Sequence, residues 1–204
     1  VLSDHGENIG DHGHVDHVFT LYESVTRIPL IIHDPGHFTP GRVDEEHAQI
    51  TDVFPTIANI LGIENPGAQG VDLLRSGARK GRHVVCDYGW PLQALRTFGD
   101  RQNDPLLTRW KRRLRSVTDG RSKLIWASDG KHELYDLSQD PAEEQNLIDR
   151  PEKTIVRAPF VMVPTPPWSV FHRRSSEALR RVARFEADPG WVRFAALLGS
   201  VLRP

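Results

Sequence analysis

The sequence predicts an α/β protein: part of a layered sheet domain, followed by a small antiparallel sheet subdomain with a C-terminal helix. Two patterns carry this prediction. In the first third of the chain, short apolar segments precede an amphipathic segment, the order of strand and helix that is typical of layered α/β sheets. After residue 74, short alternating runs are separated by Asp-Gly pairs, which are strong hairpin signals.

Two short strands are expected in the layered part. Val1 and Leu2 are interpreted as the end of a buried strand, and a loop rich in Gly, Asp and His follows from Asp4 to His17. Residues 28–32 (Ile-Pro-Leu-Ile-Ile) predict the second strand, because β-branched apolar residues are followed by an Asp-Pro-Gly turn.

One helix is strongly indicated. Apolar residues recur at spacings of three and four from Ile50 to Leu61, as they do on one face of a helix. Thr51 or Asp52 could cap its start, and Gly62 is suited to end it.

The small sheet is predicted from four runs, at residues 82–88, 114–118, 122–127 and 132–137. Asp119-Gly120 and Asp129-Gly130 lie between the last three runs and predict tight turns. Residues 91–113 are expected to form a charged insertion or helix. Asp140-Pro141 is expected to open a helix that continues through about Ile148.

Three regions follow from these elements: the layered part at 1–74, the small sheet subdomain at 75–150, and a proline-rich linker with a helical basic tail at 151–204. Tail helices are expected at about 175–187 and 191–202. The net charge is −10 over residues 1–72, +4 over 73–150 and +5 over 151–204. An acidic first third weakly indicates a cation among the carboxylates.

Composition sets further bounds on the 204-residue chain. Its single cysteine allows no internal disulfide, and no apolar run is long enough for a transmembrane helix. The chain starts with Val1 rather than Met and shows no signal peptide, so we expect it to be the latter part of a longer protein. Nothing in the sequence indicates its location or oligomeric state.

The loop after Leu2 has the most chemical content. Asp4 and His5 lie side by side where a strand is expected to end, and together they can present one oxygen and one nitrogen ligand to a divalent cation. His17 could hold an anionic group as a charged donor. On residue types alone, a solvated Gly- and His-rich loop explains the same pattern equally well.

Ordered motifs favour the metal site. The run from Ser3 to Gly13, Ser-Asp-His-Gly-Glu-Asn-Ile-Gly-Asp-His-Gly, resembles a signature of sulfatases and the related phosphonate and phosphodiester hydrolases of the alkaline phosphatase superfamily. Residues 17–36, the segment from Thr51 to Thr56 with Gly62, and residues 133–147 are similar to later family segments in the same order. The resemblance covers about residues 1–150 and implies an alkaline-phosphatase-like layered sheet.

The resemblance also implies roles for three residues. Asp4 would be a metal-ligating carboxylate, and His5 would stand where the family has Asn or His beside it. His17 falls where members have a Lys or His that contacts the sulfate or phosphate and assists the leaving group, which makes it the candidate catalytic and substrate-binding residue. The implied cofactor is a divalent cation, Ca²⁺ first, with Mn²⁺ or Zn²⁺ allowed by the imidazole.

The sequence departs from the family at the nucleophile. The Cys- or Ser-x-Pro-x-Arg motif that supplies formylglycine is absent, and so are the two upstream Asp ligands, so both are expected in a preceding segment. Cys86 lacks the Pro and Arg at the required spacing and is interpreted as a structural strand residue. The chain alone is therefore expected to be inactive.

The first hypothesis is a sulfuric ester hydrolase that acts on a small-molecule sulfate ester. A phosphodiester or phosphonate monoester hydrolase of the same superfamily is the alternative, with a phosphate-type ester as substrate. A different class remains open: a non-catalytic remnant that binds a partner through the basic tail. Nucleic acid is not the expected partner.

Two minor readings concern the same loop. Glu7 and Asp11 are interpreted as loop-organising residues. His12 and His14 could join His17 in a transition-metal cluster, since imidazoles suit zinc or copper.

Overall fold

A computed structural model describes residues 1–64, 67–75 and 77–149. Val1–Ile148 form one compact unit. The proline-rich linker, the basic tail and its two expected helices lie outside the described residues. The boundary expected at residue 74 stays a prediction.

A four-stranded antiparallel sheet forms the second half of this unit, in the order β3-β4-β5-β6. Its strands are Val84–Tyr88 (β3), Leu114–Thr118 (β4), Ser122–Ala127 (β5) and Glu133–Asp136 (β6). Gly120 and Gly130 occupy the left-handed region at φ 90° and 83°, as the tight turns after β4 and β5 require. The predicted sheet and both turns are confirmed.

Between β3 and β4 the chain forms short helical segments. They are α3 (Leu92–Arg96) and two 3-10 segments, Gly99–Asn103 and Pro105–Trp110. This agrees with the charged helical insertion that the sequence predicts.

The core joins the sheet to the N-terminal segment. Leu21 packs in one cluster with residues of β4, β5 and β6, namely Leu114, Ile125, Ala127 and Tyr135. Every residue of β5 is buried. The short helix α1 (Glu23–Thr26) follows Leu21 directly, so the sheet fixes the position of the chain just after the Gly- and His-rich loop.

The predicted helix is confirmed as a 3-10 turn at Ile50–Asp52 that continues into α2 (Val53–Ile60). Asp52 is fully buried, and its carboxylate accepts bonds from Gln49 N at 2.8 Å, Val71 N at 2.8 Å and the Arg82 guanidinium at 2.6 Å. Gly62 ends the helix at φ 65°.

The apolar face of this helix is exposed. Phe54, Ile57 and Leu61 are 63%, 50% and 64% exposed, whereas Pro55, Thr56 and Ala58 are buried. The amphipathic pattern therefore predicts the helix correctly, but the face that it marks is not covered within the described residues.

The two predicted N-terminal strands are not formed as regular strands. A single antiparallel bridge joins Leu2 and Leu30, with Ile31 N bonded to Val1 O at 2.8 Å. Ile31 is 62% exposed. A regular strand is stabilised by a row of backbone hydrogen bonds to a neighbouring strand. Among the described residues, no other strand pairs with this bridge.

The expected C-terminal helix of the subdomain, at residues 140–148, is wrong: the chain makes turns there. Glu143 adopts φ 57°, which a helix does not allow. The Asp140 carboxylate instead accepts bonds from the backbone N of Glu144 and Gln145, and Asn146 Oδ1 accepts from Leu134 N on β6. Side chains thus replace the backbone bonds of a helix.

Candidate functional site

A small hairpin shapes the loop that holds the candidate residues. β1 (Asn8–Ile9) pairs antiparallel with β2 (Val15–Asp16), with Asn8 opposite Asp16. At the next position toward the open end of the hairpin, the same register places Glu7 beside His17. The hairpin therefore returns His17 to the segment that carries Asp4 and His5.

The base of the hairpin is fixed to α1. Gly6 N donates to Val25 O at 2.8 Å, and a Cβ at Gly6 would lie 2.0 Å from Ser24 O, so only glycine fits this approach. Asn8 is buried; its amide donates to Asp16 O at 2.5 Å and its Oδ1 accepts from Ser24 Oγ at 2.7 Å. Backbone and buried amide contacts hold the site loop on the helix that the sheet positions.

The structure places His5 between contacts with the two other predicted site residues, Asp4 and His17. His5 Nε2 lies 3.8 Å from Asp4 Oδ2, and the rings of His5 and His17 stack with centroids 4.0 Å apart. The Asp4 side chain is 87% exposed, so its oxygens are open to a ligand. An oxygen and an imidazole nitrogen side by side fit a divalent cation, for which they would supply two ligands.

Carboxylates surround the ring of His17. Its Nδ1 lies 2.8 Å from Asp16 Oδ1 and 3.2 Å from Glu7 Oε2. Asp16 adopts φ 80°, a backbone conformation that costs free energy in a non-glycine residue and often accompanies functional sites. Strain and carboxylate contacts together set the orientation of this imidazole.

Glu7 joins the two sides of the loop through its contact with His17, which agrees with the loop-organising role expected of it. The register of the hairpin places Glu7 against His17. In the sequence, the only indication of this hairpin is the pair of apolar residues Ile9 and Val15 on either side of the loop glycines. Asp11 does organise the loop, since its carboxylate accepts from Ile9 N at 2.8 Å.

His12 and His14 have other contacts. The His12 ring stacks on Tyr22 at 3.7 Å and its Nε2 lies 3.0 Å from Ala142 O, while His14 packs edge-on to Trp110 at 4.7 Å. Burial lowers the pKa of His14. In the described part of the chain, the close group of potential metal ligands is His5, Glu7 and His17, so the alternative cluster with His12 and His14 is not formed.

A buried ion network ties α1 to the sheet and to the C-terminal turns. Lys123 Nζ on β5 lies 2.8 Å from Glu23 Oε1 and 3.0 Å from Glu143 Oε1. Glu143 Oε2 also accepts from Glu23 N at 2.5 Å, and its burial raises the pKa of this carboxyl. The left-handed turn at Glu143 thus delivers a carboxylate to the start of α1.

A second contact runs through Glu133. Its Oε2 accepts from the hydroxyls of Tyr22 at 2.8 Å and Tyr135 at 2.7 Å. Burial, the largest cause, and the Glu133 carboxylate raise the pKa of both phenols, so they remain donors at neutral pH. Tyr22 and Glu23 therefore pack α1 and the end of the site loop against the sheet.

Cys86 has the structural position expected from its sequence. It lies in the middle of β3 opposite Ser116 and packs against the core cluster. Burial raises the pKa of its thiol, which disfavours the thiolate needed for nucleophilic attack.

Known proteins resemble this chain in sequence and in fold. The sulfatase family matches residues 1–63. An arylsulfatase of Clostridium perfringens is 28% identical over 155 residues, which are 74% of this chain and 29% of the relative. A Delta 4,5-hexuronate-2-O-sulfatase of Bacteroides thetaiotaomicron is 28% identical over 78% of this chain and 32% of its own length. The crystal structure of a phosphonate monoester hydrolase of Agrobacterium radiobacter aligns with TM-score 0.57 and 28% identity, covering 76% of this chain and 32% of that one.

The family match and these relatives place the chain in the sulfatase and alkaline phosphatase superfamily. Both curated relatives named above are sulfatases. It spans about a third of the length of the curated relatives that it matches, with 29% and 32% of the two sulfatases covered. Sulfatases generally use a divalent cation. No helix in the described ranges combines the length and apolar character needed to cross a bilayer.

Proposed function

We propose that this chain is the C-terminal part of a metal-dependent sulfuric ester hydrolase. The observation that carries the proposal is that His5 lies against both Asp4 and His17 at one end of the β1–β2 hairpin. The sulfatase relatives support a sulfate ester as the substrate.

Each residue has a distinct part in the proposed reaction. Asp4 and His5 hold a divalent cation, Ca²⁺ first because a carboxylate-rich ligand set suits a hard ion. When bound, the cation polarises the ester oxygens. His17 donates to the ester's bridging oxygen and offsets the charge that develops there as the bond breaks. Formylglycine and two further carboxylates belong to the segment that precedes this one in the whole protein.

Metal binding can be tested on the chain itself. We expect Ca²⁺ to raise the melting temperature of the wild type and to have little effect on Asp4→Ala. Asp34→Ala is the matched control, because Asp34 is also paired with a histidine, His37, at 2.8 Å but lies outside the site. An equal metal response in wild type and Asp4→Ala rules out the metal assignment.

The reaction is tested on the whole protein that contains the nucleophile segment. We expect hydrolysis of an aryl sulfate and a loss of kcat on His17→Ala of about 10²-fold or more, as for a general acid. The phosphonate monoester hydrolase likeness favours one second candidate, cleavage of a phosphonate monoester or phosphodiester. Higher kcat/KM on an aryl phosphonate than on the aryl sulfate decides for that candidate.

A further inference from the structure

The site loop contains a second potential ligand set that does not use Asp4. His5, Glu7 and His17 each offer one ligand atom, and these atoms all lie within 4.8 Å of one another. The proposed hydrolase gives Glu7 no role in binding the cation or the ester. Its place in this group therefore needs a separate explanation.

One imidazole is held in the way that metal-binding histidines are held. His5 Nδ1 lies 2.8 Å from Gly6 O, and a carbonyl oxygen only accepts, so this nitrogen carries the proton and Nε2 keeps the lone pair. An acceptor on the second ring nitrogen is the usual outer-shell arrangement at metal centres. His17 Nδ1 lies 3.2 Å from Glu7 Oε2, so this nitrogen and this oxygen are close enough to bind one ion.

The ligand types select a class of ion. Two imidazole nitrogens and one carboxylate form a set that binds Zn²⁺ and related first-row ions, whereas Ca²⁺ prefers oxygen. Around an ion with bonds of about 2.0–2.2 Å, ligand atoms are about 3.3 Å apart. The three side chains are 40%, 48% and 42% exposed, so an ion from solution can reach them.

We propose that His5, Glu7 and His17 form a binding site for a borderline transition-metal ion of the Zn²⁺ or Co²⁺ type. This site shares His5 with the proposed Ca²⁺ site of Asp4 and His5, so the two ions cannot be bound at the same time. It also engages His17, so its occupancy removes the nitrogen offered to an anionic ester; this last consequence alone rests on the proposed function.

The test uses Co²⁺, whose visible absorption reports four-coordinate binding, and Zn²⁺ in calorimetry, both with the full chain. We expect one ion per chain, and at least about tenfold weaker binding in Glu7→Gln and in His17→Ala, as for lost ligands. His37→Ala is the matched control, because His37 is a similarly exposed histidine paired with a carboxylate; it should bind as the wild type does. Unchanged melting temperatures show that the variants are folded.

Asp4→Ala separates this site from the proposed hydrolase cation. We expect it to retain Zn²⁺ binding while it loses the Ca²⁺ response. Wild-type Co²⁺ affinity in Glu7→Gln or His17→Ala overturns the site, as does joint loss of both ions in Asp4→Ala. Failure of the Ca²⁺ experiment alone leaves the Co²⁺ result intact, so the two proposals fail separately.

Discussion

At the scale of single residues, the site loop depends on one close backbone approach. Replacing Gly6 by Ala would put a methyl group 2.0 Å from Ser24 O, and backbone cannot yield as a flexible side chain does. We expect Gly6→Ala to cost roughly 1–3 kcal/mol of unfolding free energy or more, as overpacking does, and to abolish the metal response. Urea unfolding measures the cost. Gly89→Ala is the control, since nothing lies within 4 Å of its added Cβ; equal losses in both variants would contradict this account.

His132 gives the small sheet a pH dependence. Its Nδ1 accepts from Ala127 N at 3.1 Å, which needs the neutral ring, and burial lowers the pKa of His132 from 6.5. The unfolded chain therefore binds the proton more readily. The stabilisation is fully present above 6.5 and is lost as pH falls below that value toward the lower pKa of the folded state.

We expect wild type to lose more unfolding free energy than His132→Asn between about pH 7.5 and about pH 5.5, by up to about 1.4 kcal/mol per pH unit. Asn keeps an acceptor but does not titrate. His14 is unchanged in both proteins, so its contribution cancels in the difference. Parallel pH profiles would show that His132 is not the titrating group.

The sequence indicated Asp4, His5 and His17 because their neighbours carry a recognisable motif, and the structure sets His5 against each of the other two. The contact between Glu7 and His17 could not be predicted, for a physical reason. Its place in the group depends on the register of a two-residue hairpin, which is set by Gly6, the buried Asn8 and their contacts with α1. Contacts across the fold of that kind leave no periodic trace in the sequence.

At the scale of elements, the buried network at Lys123 joins α1, β5 and the turn at Glu143. Lys123 is 1% exposed and faces two carboxylates, so its removal leaves buried negative charges without a partner. We expect Lys123→Met to cost about 3–5 kcal/mol. Calorimetric or urea unfolding measures it, with the exposed Lys131→Met as a control expected within about 0.5 kcal/mol of wild type.

The double variant Lys123→Met with Glu143→Gln tests whether the two groups act as a pair. We expect its cost to fall short of the sum of the single costs by about 0.5–3 kcal/mol, because the second change removes one of the stranded charges. Strict additivity would show that Glu143 acts only through its bond to the start of α1.

The elements predicted best are those that local chemistry determines. Asp-Gly pairs require left-handed backbone, so β4, β5 and their turns follow from the sequence within a residue or two. The helix at 140–148 failed because Glu143 is recruited by Lys123, which lies 20 positions earlier in the chain. A contact between distant segments outweighs helix propensity there.

At the scale of the whole molecule, the first third of the chain exposes apolar surface that no other described segment covers. The strand segments at 1–2 and 28–32 meet in one bridge, and α2 exposes the face that its periodicity marks. Periodicity identifies the element and its apolar side, but not the partner that covers it. The sulfatase relatives are about three times longer than the part matched here, and their fold extends beyond it.

The exposed apolar face of α2 is expected to promote self-association of the chain. Contiguous exposed apolar residues promote association, so we expect the triple variant Phe54→Gln, Ile57→Gln and Leu61→Gln to sediment more as a monomer than the wild type does. The unfolding free energy should change by no more than about 0.5 kcal/mol per site, because at least half of each residue is exposed. Ala58→Gln on the opposite, buried face is the control, and it should destabilise by about 1–3 kcal/mol through overpacking. A triple variant as destabilised as that control would show that this face is packed within the chain. Association that persists unchanged at full stability would show that another surface drives it.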